Sequence, residues 1–356
     1  MLKIMTTILV ILVVLSNSFL AFSATPQEFN VKNYGAKGDG VTDDRSAIQS
    51  AIDAASAQNG IVLFPAATYK ISNYVSLKSN ITLSGYGATI YMPSQSAVSI
   101  LLYSKPSSYI SNVTIKGLKL ASKNDRTGSG EYEGSMTSNV EALSIYGVNG
   151  LTIQDVYMEN MYMGLKLQAS DNGQKNTNVN VDNLKVYNTR NPLYMSTTNG
   201  FTMSNSILDA SGGGTKFLHA AYFRGGLSNL TFDNVQFNNT PGGGIHIYNS
   251  KADESAATNI VFNNSSINNT RAAVYLYSNA NNITFNNLTI KNSGLGFKVN
   301  SASNIKMNGV TMTEFSSSKE EKGGFSLNGF TNSELNNVTI DGSNIAGSVF
   351  SLVGSV

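Results

Sequence analysis

Residues 230–235 read Leu230-Thr-Phe-Asp-Asn234-Val, a pattern that recurs along the chain and predicts its fold. Two apolar residues alternate with polar ones, and Asn, Asp or Gly then precedes a further apolar residue. Alternation with period two is typical of a half-buried strand, and Asn or Gly at a fixed place indicates a turn with positive φ. The pattern begins at positions 151, 179, 201, 230, 260, 283 and 305, and separations of roughly 22 to 30 residues are typical of stacked repeat units.

A second series of strands lies between these copies, as in Gly244-Ile-His-Ile-Tyr248 and Ala273-Val-Tyr-Leu-Tyr277. Each repeat therefore contributes at least two strands, and stacking the repeats predicts a parallel β-helix. Turn residues of successive coils then lie above one another, so we expect a side-chain ladder that satisfies backbone groups in the turns. The predicted ladder comprises Asn183, Asn205, Asn234, Asn264, Asn287 and Asn337, with interruptions at Gly117, Asp155 and Gly309.

The chain of 356 residues is predicted to be one secreted domain behind a leader. Lys3 precedes an apolar run and Ala21-Phe-Ser23 fits a small-x-small cleavage signature, so residues 1–24 are predicted to be a signal peptide. Residues 25–356 then form a single β-helix domain, with a cap segment at 25–60 and coils from about 61 to 356. We expect an extracellular or periplasmic monomer that does not associate with a membrane after cleavage of the leader.

Two features of the composition exclude other classes of protein. Cysteine is absent, which excludes disulfides and thiolate metal sites. The formal net charge of +2 does not indicate nucleic-acid binding.

The N-terminal segment carries a family resemblance. Residues 29–55 read Phe29-Asn-Val-Lys-Asn-Tyr-Gly-Ala-Lys-Gly-Asp-Gly-Val-Thr-Asp-Asp-Arg-Ser-Ala-Ile-Gln-Ser-Ala-Ile-Asp-Ala-Ala55. This segment closely resembles the opening of the pectate-lyase superfamily of right-handed β-helices, which includes polygalacturonases, rhamnogalacturonases, uronan lyases and mannuronan epimerases. The resemblance implies an all-β, right-handed parallel β-helix, and it leaves the chemistry open because these relatives catalyse different reactions.

The same segment predicts a helix that caps the coil stack. Thr42 or Asp43 is expected to be the N-cap of this helix, since both side chains accept hydrogen bonds from backbone N–H groups. The apolar face that would close the open end of the core comprises Ile48, Ala51, Ile52 and Ala55. The residues interpreted as turn and capping residues, not as a catalytic cluster, are Asp39, Asp43 and Asp44.

Outward-facing residues of the second strand series form columns, with side chains about 4.8 Å apart. The middle column comprises Ser144, Lys166, Tyr194, Tyr222, His246, Tyr275, Lys298 and Ser326. The outer column comprises Tyr146, Gln168, Ser196, Arg224, Tyr248, Tyr277, Asn300 and Asn328. A third column of small residues is expected to leave a groove beside them: Gly164, Pro192, Ala220, Gly244, Ala273 and Gly296.

These columns predict a groove that binds an acidic polysaccharide. Tyrosines offer flat faces to sugar rings, and lysine or arginine can pair with the carboxylates of uronic acids. The plain structural alternative is a solvated sheet face that needs only residues with high strand propensity. The predicted substrate-binding tyrosines are Tyr194, Tyr248, Tyr275 and Tyr277.

The chemistry predicted for this groove is β-elimination on a uronide without metal or cofactor. Resemblance to polygalacturonases implies N-T-D, Asp-Asp, G-H-G and R-I-K segments in the coils, and none occurs there. Arg224 or Lys298 would neutralise the substrate carboxylate, and Tyr222, His246 or Lys166 would take the C5 proton. His246 has the strongest claim as base because a histidine has an unperturbed pKa near 6.5. A tyrosine would act as the acid.

An insertion at 122–141 provides the carboxylates of an alternative hydrolase. Glu131 and Glu133 are expected to overhang the groove and contact substrate, with Asp171 or Asp209 as possible partners in hydrolysis. The other interpretation of this insertion is a solvated loop.

Other features of the sequence are interpreted as structural or leave a nonenzymatic function open. His219 is predicted to be structural or to bind substrate at the rim, and residues 319–322 are interpreted as a solvated turn. A noncatalytic glycan-binding or adhesive β-helix and a tailspike-like structural protein are the alternatives to an enzyme.

Overall fold

The computed structural model describes residues 25–93, 99–123, 140–212, 216–248, 256–316, 319–342, 345 and 347–353. Within them the elements are one short 3-10 helix at Val31–Tyr34, helix α1 at Arg45–Ser56, and 29 strands. In chain order, β1 to β10 are Glu28–Asn30, Asp39–Asp43, Ile61–Leu63, Thr68–Lys70, Val75–Ser76, Ile81–Ser84, Thr89–Met92, Ser99–Tyr103, Ile110–Lys116 and Lys119–Ser122. Strands β11 to β20 are Val140–Tyr146, Val148–Gln154, Tyr157–Glu159, Met163–Gln168, Asn176–Asp182, Lys185–Tyr187, Asn191–Met195, Thr198–Asp209, Ala221–Phe223 and Leu227–Ile247. Strands β21 to β29 are Thr258–Asn263, Ser266–Asn286, Thr289–Lys291, Leu295–Asn308, Thr311–Thr313, Gly323–Thr331, Glu334–Asn336, Thr339–Ile340 and Phe350–Val353.

Successive coils pair in parallel, which confirms the predicted stacking. Strands β12, β13 and β14 form one coil, and they pair with β15, β16 and β17 of the next. Each coil here therefore has three strands, where the sequence predicted at least two. Near the C-terminal end, strands of neighbouring sheets merge into long bent strands such as β20 and β22.

Alternating side chains fill the interior of the coils. Inward-facing pairs such as Leu165 and Leu167 are fully buried, as the alternation predicts. Aromatic rings continue from coil to coil: the Phe232 and Phe262 ring centroids are 4.8 Å apart, and those of Phe262 and Phe285 are 5.1 Å apart. Such stacks contribute about 0.5–1.5 kcal/mol per pair beyond area burial.

The turn residues adopt the left-handed conformation that the sequence predicts. Asn234, for example, has φ 55°, and its amide donates to Asn205 Oδ1 at 2.9 Å. The ladder differs from the prediction at Asn205, which donates to Asp182 and not to Asn183, and at Asn264, which donates to Asp233 and not to Asn234. Asp155 was expected to interrupt the ladder, but its carboxylate accepts from Asn183 at 2.7 Å. The carboxylates of Asp155 and Asp233 thus serve as acceptors in the ladder, and charged acceptors form stronger hydrogen bonds than amides do.

Helix α1 buries the predicted apolar face. Ile48, Ala51, Ile52 and Ala55 are all fully buried, and the helix contacts β1, β3, β5 and β6. The predicted N-cap was wrong, because the N-cap residue is Asp44. The Asp44 carboxylate accepts instead from the backbone N–H groups of Lys37 and Gly38, at 2.6 and 2.9 Å, and thereby holds the preceding turn. Closure of the coil stack by this helix stays a prediction.

Among the described residues, no helix combines the length and apolar character that crossing a membrane requires. The predicted signal peptide at 1–24 lies outside the described residues.

Candidate functional site

The middle column exists as predicted, because strand register places its residues side by side across the coils. Tyr222 pairs in register with His246, and His246 pairs with Tyr275. The register also extends the column toward the N-terminus through Tyr103, which the sequence analysis missed because no copy of the repeat marks that strand. The predicted members in register are Ser144, Lys166, Tyr194, Tyr222, His246, Tyr275, Lys298 and Ser326.

The predicted small column is wrong, because its residues face the interior. They lie where the chain turns the corner into the strand, so the two-residue alternation does not yet apply to them. A Cβ atom added to Gly244 would lie 2.5 Å from the core atom Ile267 Cγ2. The members, all buried, are Gly164, Pro192, Ala220, Gly244, Ala273 and Gly296.

The groove lies instead around His246 and has a volume of about 600 Å³. The predicted residues that line it are Tyr222, Arg224, His246, Tyr248, Tyr275, Tyr277 and Lys298. The groove is also lined by residues to which the sequence analysis assigned no binding role: Lys216, Phe217, Arg271 and Glu321. His219, which was predicted to be structural or to bind substrate at the rim, lines it as well. Neither Lys166 nor Tyr194 is among them. Phe217 is an exposed apolar ring at the groove edge and offers a flat surface to a sugar.

The two histidines of the chain contact each other at the centre of this groove. His246 Nδ1 lies 2.7 Å from His219 Nε2, and the backbone N–H of Gly243 donates to His219 Nδ1 at 2.8 Å. Burial and nearby Arg224 lower the pKa of His246 to about 3. Burial and the neighbouring His246 ring hold the pKa of His219 well below its usual value. Both rings are therefore neutral at physiological pH.

Two uncharged side chains in the groove each have a polar atom without a hydrogen-bond partner among the described residues. These atoms are His246 Nε2 and the Tyr275 hydroxyl, both almost inaccessible to solvent. Burial and the Glu321 carboxylate raise the pKa of Tyr275, so this phenol keeps its proton. An unsatisfied buried polar group costs about 1–3 kcal/mol, so two together indicate a surface shaped for a polar ligand.

Arg224 brings positive charge to the same surface. Its guanidinium carbon lies 5.9 Å from the ring centroids of both Tyr222 and Tyr248. Burial raises the pKa of Tyr222, whereas the charge of Arg224 and its hydrogen bond oppose that shift. Tyr222 is thus a phenol beside a cation, and Tyr275 is a phenol beside a carboxylate.

Glu321 enters the groove from the turn that was predicted to be solvated, and this prediction was wrong. Its carboxylate lies 2.8 Å from Lys298 Nζ and 3.2 Å from Arg271 Nη2. Arg271 also pairs with Glu320 at 2.7 Å. Lys298 is neutralised by Glu321, whereas Arg224 lies close enough to His246 to lower the pKa of that ring, so Arg224 is the candidate for binding a substrate carboxylate beside His246.

Lys166 lies in a separate cluster further toward the N-terminus. Its Nζ lies 3.0 Å from Glu141 Oε1, and the Ser144 hydroxyl donates to the same carboxylate. Burial would lower the pKa of Lys166, but Glu141 and Tyr146 more than offset that effect and raise it. A lysine held protonated in this way is a poor base, which argues against the base role predicted for it.

Asp171 and Asp209, the predicted hydrolase carboxylates that the structure describes, do not line the groove. Glu131 and Glu133 lie outside the described residues. The Asp209 carboxylate accepts from the Asn239 amide at 2.6 Å and from the Ser211 backbone at 2.8 Å, so it belongs to a turn. Within the described ranges, no cluster of three or more acidic or histidine side chains could hold a metal ion.

Sequence comparisons match parts of the chain. The family "Rhamnogalacturonase A/epimerase, pectate lyase-like" matches residues 28–112. Alginate lyase 7 of Azotobacter vinelandii is 47% identical over 68 residues, which cover 17% of this chain and 8% of that protein. Plasmin and fibronectin-binding protein A of Streptococcus pneumoniae is 29% identical over 177 residues, which cover 43% of this chain and 23% of that protein. The chain thus spans a small part of these relatives.

Structural comparison extends over nearly the whole chain. The A-module of the Azotobacter vinelandii mannuronan C-5 epimerase AlgE4 superposes with a TM-score of 0.59 at 17% identity, covering 92% of this chain and 100% of the module. At this identity the likeness concerns the fold alone. The family match is confined to residues 28–112, and the structural likeness shows a parallel β-helix fold over nearly the whole chain.

Proposed function

We propose that this chain binds a polysaccharide rich in uronic acid along the middle column and cleaves it by metal-independent β-elimination at the His246 groove. The observation that carries the proposal is the groove itself, where Arg224 lies beside two polar atoms without hydrogen-bond partners among the described residues, His246 Nε2 and the Tyr275 hydroxyl. The matched segments of an alginate lyase and the AlgE4 fold support a uronic-acid substrate. We also propose that the chain acts outside the cytoplasm as a monomer.

Arg224 and His246 act on the substrate carboxylate in this proposal. The Arg224 guanidinium pairs with the carboxylate oxygens, and the neutral His246 ring lies within the same groove. Neutralising the carboxylate makes the adjacent C5 proton more acidic, since negative charge that develops on C5 is shared with the carboxyl group. Stabilisation of developing charge by fixed groups is strongest where water is excluded, and His246 Nε2 and the Tyr275 hydroxyl are buried in this groove.

Tyr222 and Tyr275 divide the proton transfers between them. Tyr222 acts as a phenolate beside Arg224 and takes the C5 proton to become a phenol; the C5–H electrons form the C4–C5 double bond as the C4–O bond breaks. Tyr275, whose pKa burial and Glu321 raise, gives its proton to the leaving oxygen. The pKa of both phenols is raised, but Arg224 opposes the shift at Tyr222, whereas Glu321 adds to it at Tyr275, so Tyr222 is assigned as the base and Tyr275 as the acid. This revises the predicted role of His246, because a base with a pKa of about 3 is mismatched to neutral pH.

The test is ultraviolet absorbance of C4–C5 unsaturated uronides with a panel of uronic-acid polysaccharides, with and without chelator. We expect absorbance to rise in both conditions and to be lost in Tyr222→Phe. The matched control is Tyr187→Phe, a tyrosine on β16 outside the groove, which should retain activity. New reducing ends without absorbance would contradict elimination and indicate the alternative glycoside hydrolase.

A second candidate function is noncatalytic binding. The observation that favours it is the match to the pneumococcal plasmin and fibronectin-binding protein, which covers more of this chain than the lyase match does. Saturable binding of a polysaccharide without turnover in either assay would support this candidate over the lyase.

A further inference from the structure

We propose that His219 is a positioning residue that fixes the ring proton of His246 on Nε2, so that His246 meets the substrate as a neutral hydrogen-bond donor. The inference rests on the proposed function and deepens it, because it assigns His246 a role opposite to that of a base. The ligand that such a donor fits is an oxygen of a carboxylate, held together with Arg224.

The backbone of Gly243 fixes the tautomer of His219. The backbone N–H of Gly243 can only donate, and it points at His219 Nδ1 over 2.8 Å. His219 Nδ1 therefore carries no proton, and in a neutral imidazole the proton must then be on Nε2. His219 is buried, with 4% of its surface exposed, which disfavours the charged ring.

The tautomer of His219 in turn determines the tautomer of His246. His219 Nε2 carries the proton and lies 2.7 Å from His246 Nδ1, so His219 donates and His246 Nδ1 accepts. The proton of a neutral His246 must then be on Nε2. That atom is buried and without a hydrogen-bond partner among the described residues, which leaves an N–H free for a ligand.

The position of His246 suits a donor to substrate. Its ring centroid lies 5.2 Å from that of Tyr222 and 5.1 Å from that of Tyr275, between the proposed base and the proposed acid. During elimination the C4–C5 bond must lie between these two groups, and the carboxylate on C5 is then next to them. A histidine already carrying its proton on Nε2 cannot accept the C5 proton there, but it can share the charge that develops on the carboxylate.

The surroundings of His219 hold its ring in place. Its backbone N–H donates to the buried Asn191 side chain at 3.3 Å. A Cβ atom added to Gly243 would lie 2.5 Å from Tyr275 Cδ2 and 3.1 Å from His219 Nδ1. Glycine at 243 thus allows the backbone N–H and the Tyr275 ring to approach His219 together, a local requirement that the strand pattern did not reveal.

The decisive experiment is nitrogen NMR of the protein labelled with 15N-histidine, which contains two histidines only. At neutral pH we expect both rings to show a bare Nδ1 and a protonated Nε2, with a coupling across the hydrogen bond from His219 Nε2 to His246 Nδ1. A proton on His246 Nδ1, or a charged ring, would overturn the inference. The measurement needs no activity, so an inactive protein with the expected spectrum would refute the lyase proposal and not the tautomer assignment.

A pair of variants then separates positioning from packing. His219→Gln keeps a donor near the place of Nε2, whereas His219→Phe keeps the ring and removes the donor. We expect His219→Phe to lower kcat by about 10- to 100-fold with a smaller change in KM, and His219→Gln to recover much of that loss. Equal kcat in wild type and folded His219→Phe would contradict a positioning role.

Discussion

The two parts of the middle column differ in how their polar groups are satisfied. At Lys166, the ammonium group meets the buried Glu141 carboxylate at 3.0 Å, and Ser144 donates to the same carboxylate. At His246, three coils further along, His246 Nε2 and the Tyr275 hydroxyl have no hydrogen-bond partner within the described part of the chain. The first region is complete within the protein, whereas the second lacks a partner.

This difference shows which of two similar-looking surfaces binds a ligand. Both regions have a basic residue beside tyrosines, and by residue type alone they are equivalent. A buried group that already has its partner contributes to stability, while one that lacks a partner reduces it until a ligand binds. The comparison therefore assigns a structural role to Lys166 and a functional role to the groove at His246.

The largest effect should come from Arg224→Gln, which removes the proposed carboxylate partner. We expect kcat/KM for uronide cleavage to fall by about 10³-fold, because charge developing on the carboxylate loses its cation. The unfolding midpoint should change little. Lys185→Gln, at the start of β16, is the matched control and should leave kcat/KM unchanged. A decrease in kcat/KM of less than tenfold in Arg224→Gln would contradict the proposed contact between Arg224 and the substrate carboxylate.

At Lys166 we expect a loss of stability and not of activity. Lys166→Met leaves the buried Glu141 carboxylate without its cation, which should lower the free energy of unfolding by about 3 kcal/mol. Activity per folded molecule should remain within a few-fold of wild type. Denaturant unfolding would measure the loss, and the double variant Lys166→Met/Glu141→Leu should recover most of it. Loss of activity without loss of stability would reverse the roles of the two regions.

The pH dependence sharpens the assignment of the base. Tyr222 must be a phenolate to act, and its pKa is raised, so the active fraction is small at neutral pH and increases as pH rises. We expect kcat/KM to increase about tenfold per pH unit between pH 7 and pH 9. Because the pKa of His246 is about 3, its titration should cause no change of slope in the pH profile of kcat/KM between pH 5 and pH 8. A change of slope in this profile near pH 6.5 would contradict Tyr222 as the base and indicate His246 instead.

The smallest effect is expected for Glu321→Gln. Loss of this carboxylate frees Lys298, while Arg271 keeps Glu320, and the pKa of Tyr275 should move down toward its usual value. We expect activity to change by less than about tenfold, since the glutamate contacts cations and not the reacting atoms. Complete inactivation would instead indicate a hydrolase, in which Glu321 is one of the two required carboxylates.

The sequence predicted most of the column because strand alternation and repeat spacing together fix the register. Tyr194, Tyr222 and His246 each lie at the same place in their repeat, so no side-chain detail was needed to align them. The partners of the lysines were missed because Glu141 and Glu321 come from segments that do not follow the repeat. Their contacts depend on loop conformation, which periodicity does not encode.

The histidine pair shows the same limit in another way. His219 lies 27 residues before His246, about one coil, and that spacing could have suggested a contact. What the spacing does not show is that the chain bends at Gly242-Gly243-Gly244, which allows the turn containing His219 to approach the sheet. The same corner explains why the small column faces the core.

The most direct test of the site is a crystal structure of the Tyr222→Phe variant with an oligouronide. We predict that one uronate carboxylate lies within hydrogen-bond distance of His246 Nε2 and beside the Arg224 guanidinium, with the sugar ring between positions 222 and 275. An oligosaccharide bound at Lys166, or anywhere that leaves His246 Nε2 unpartnered, would contradict the assignment of this groove as the site of cleavage.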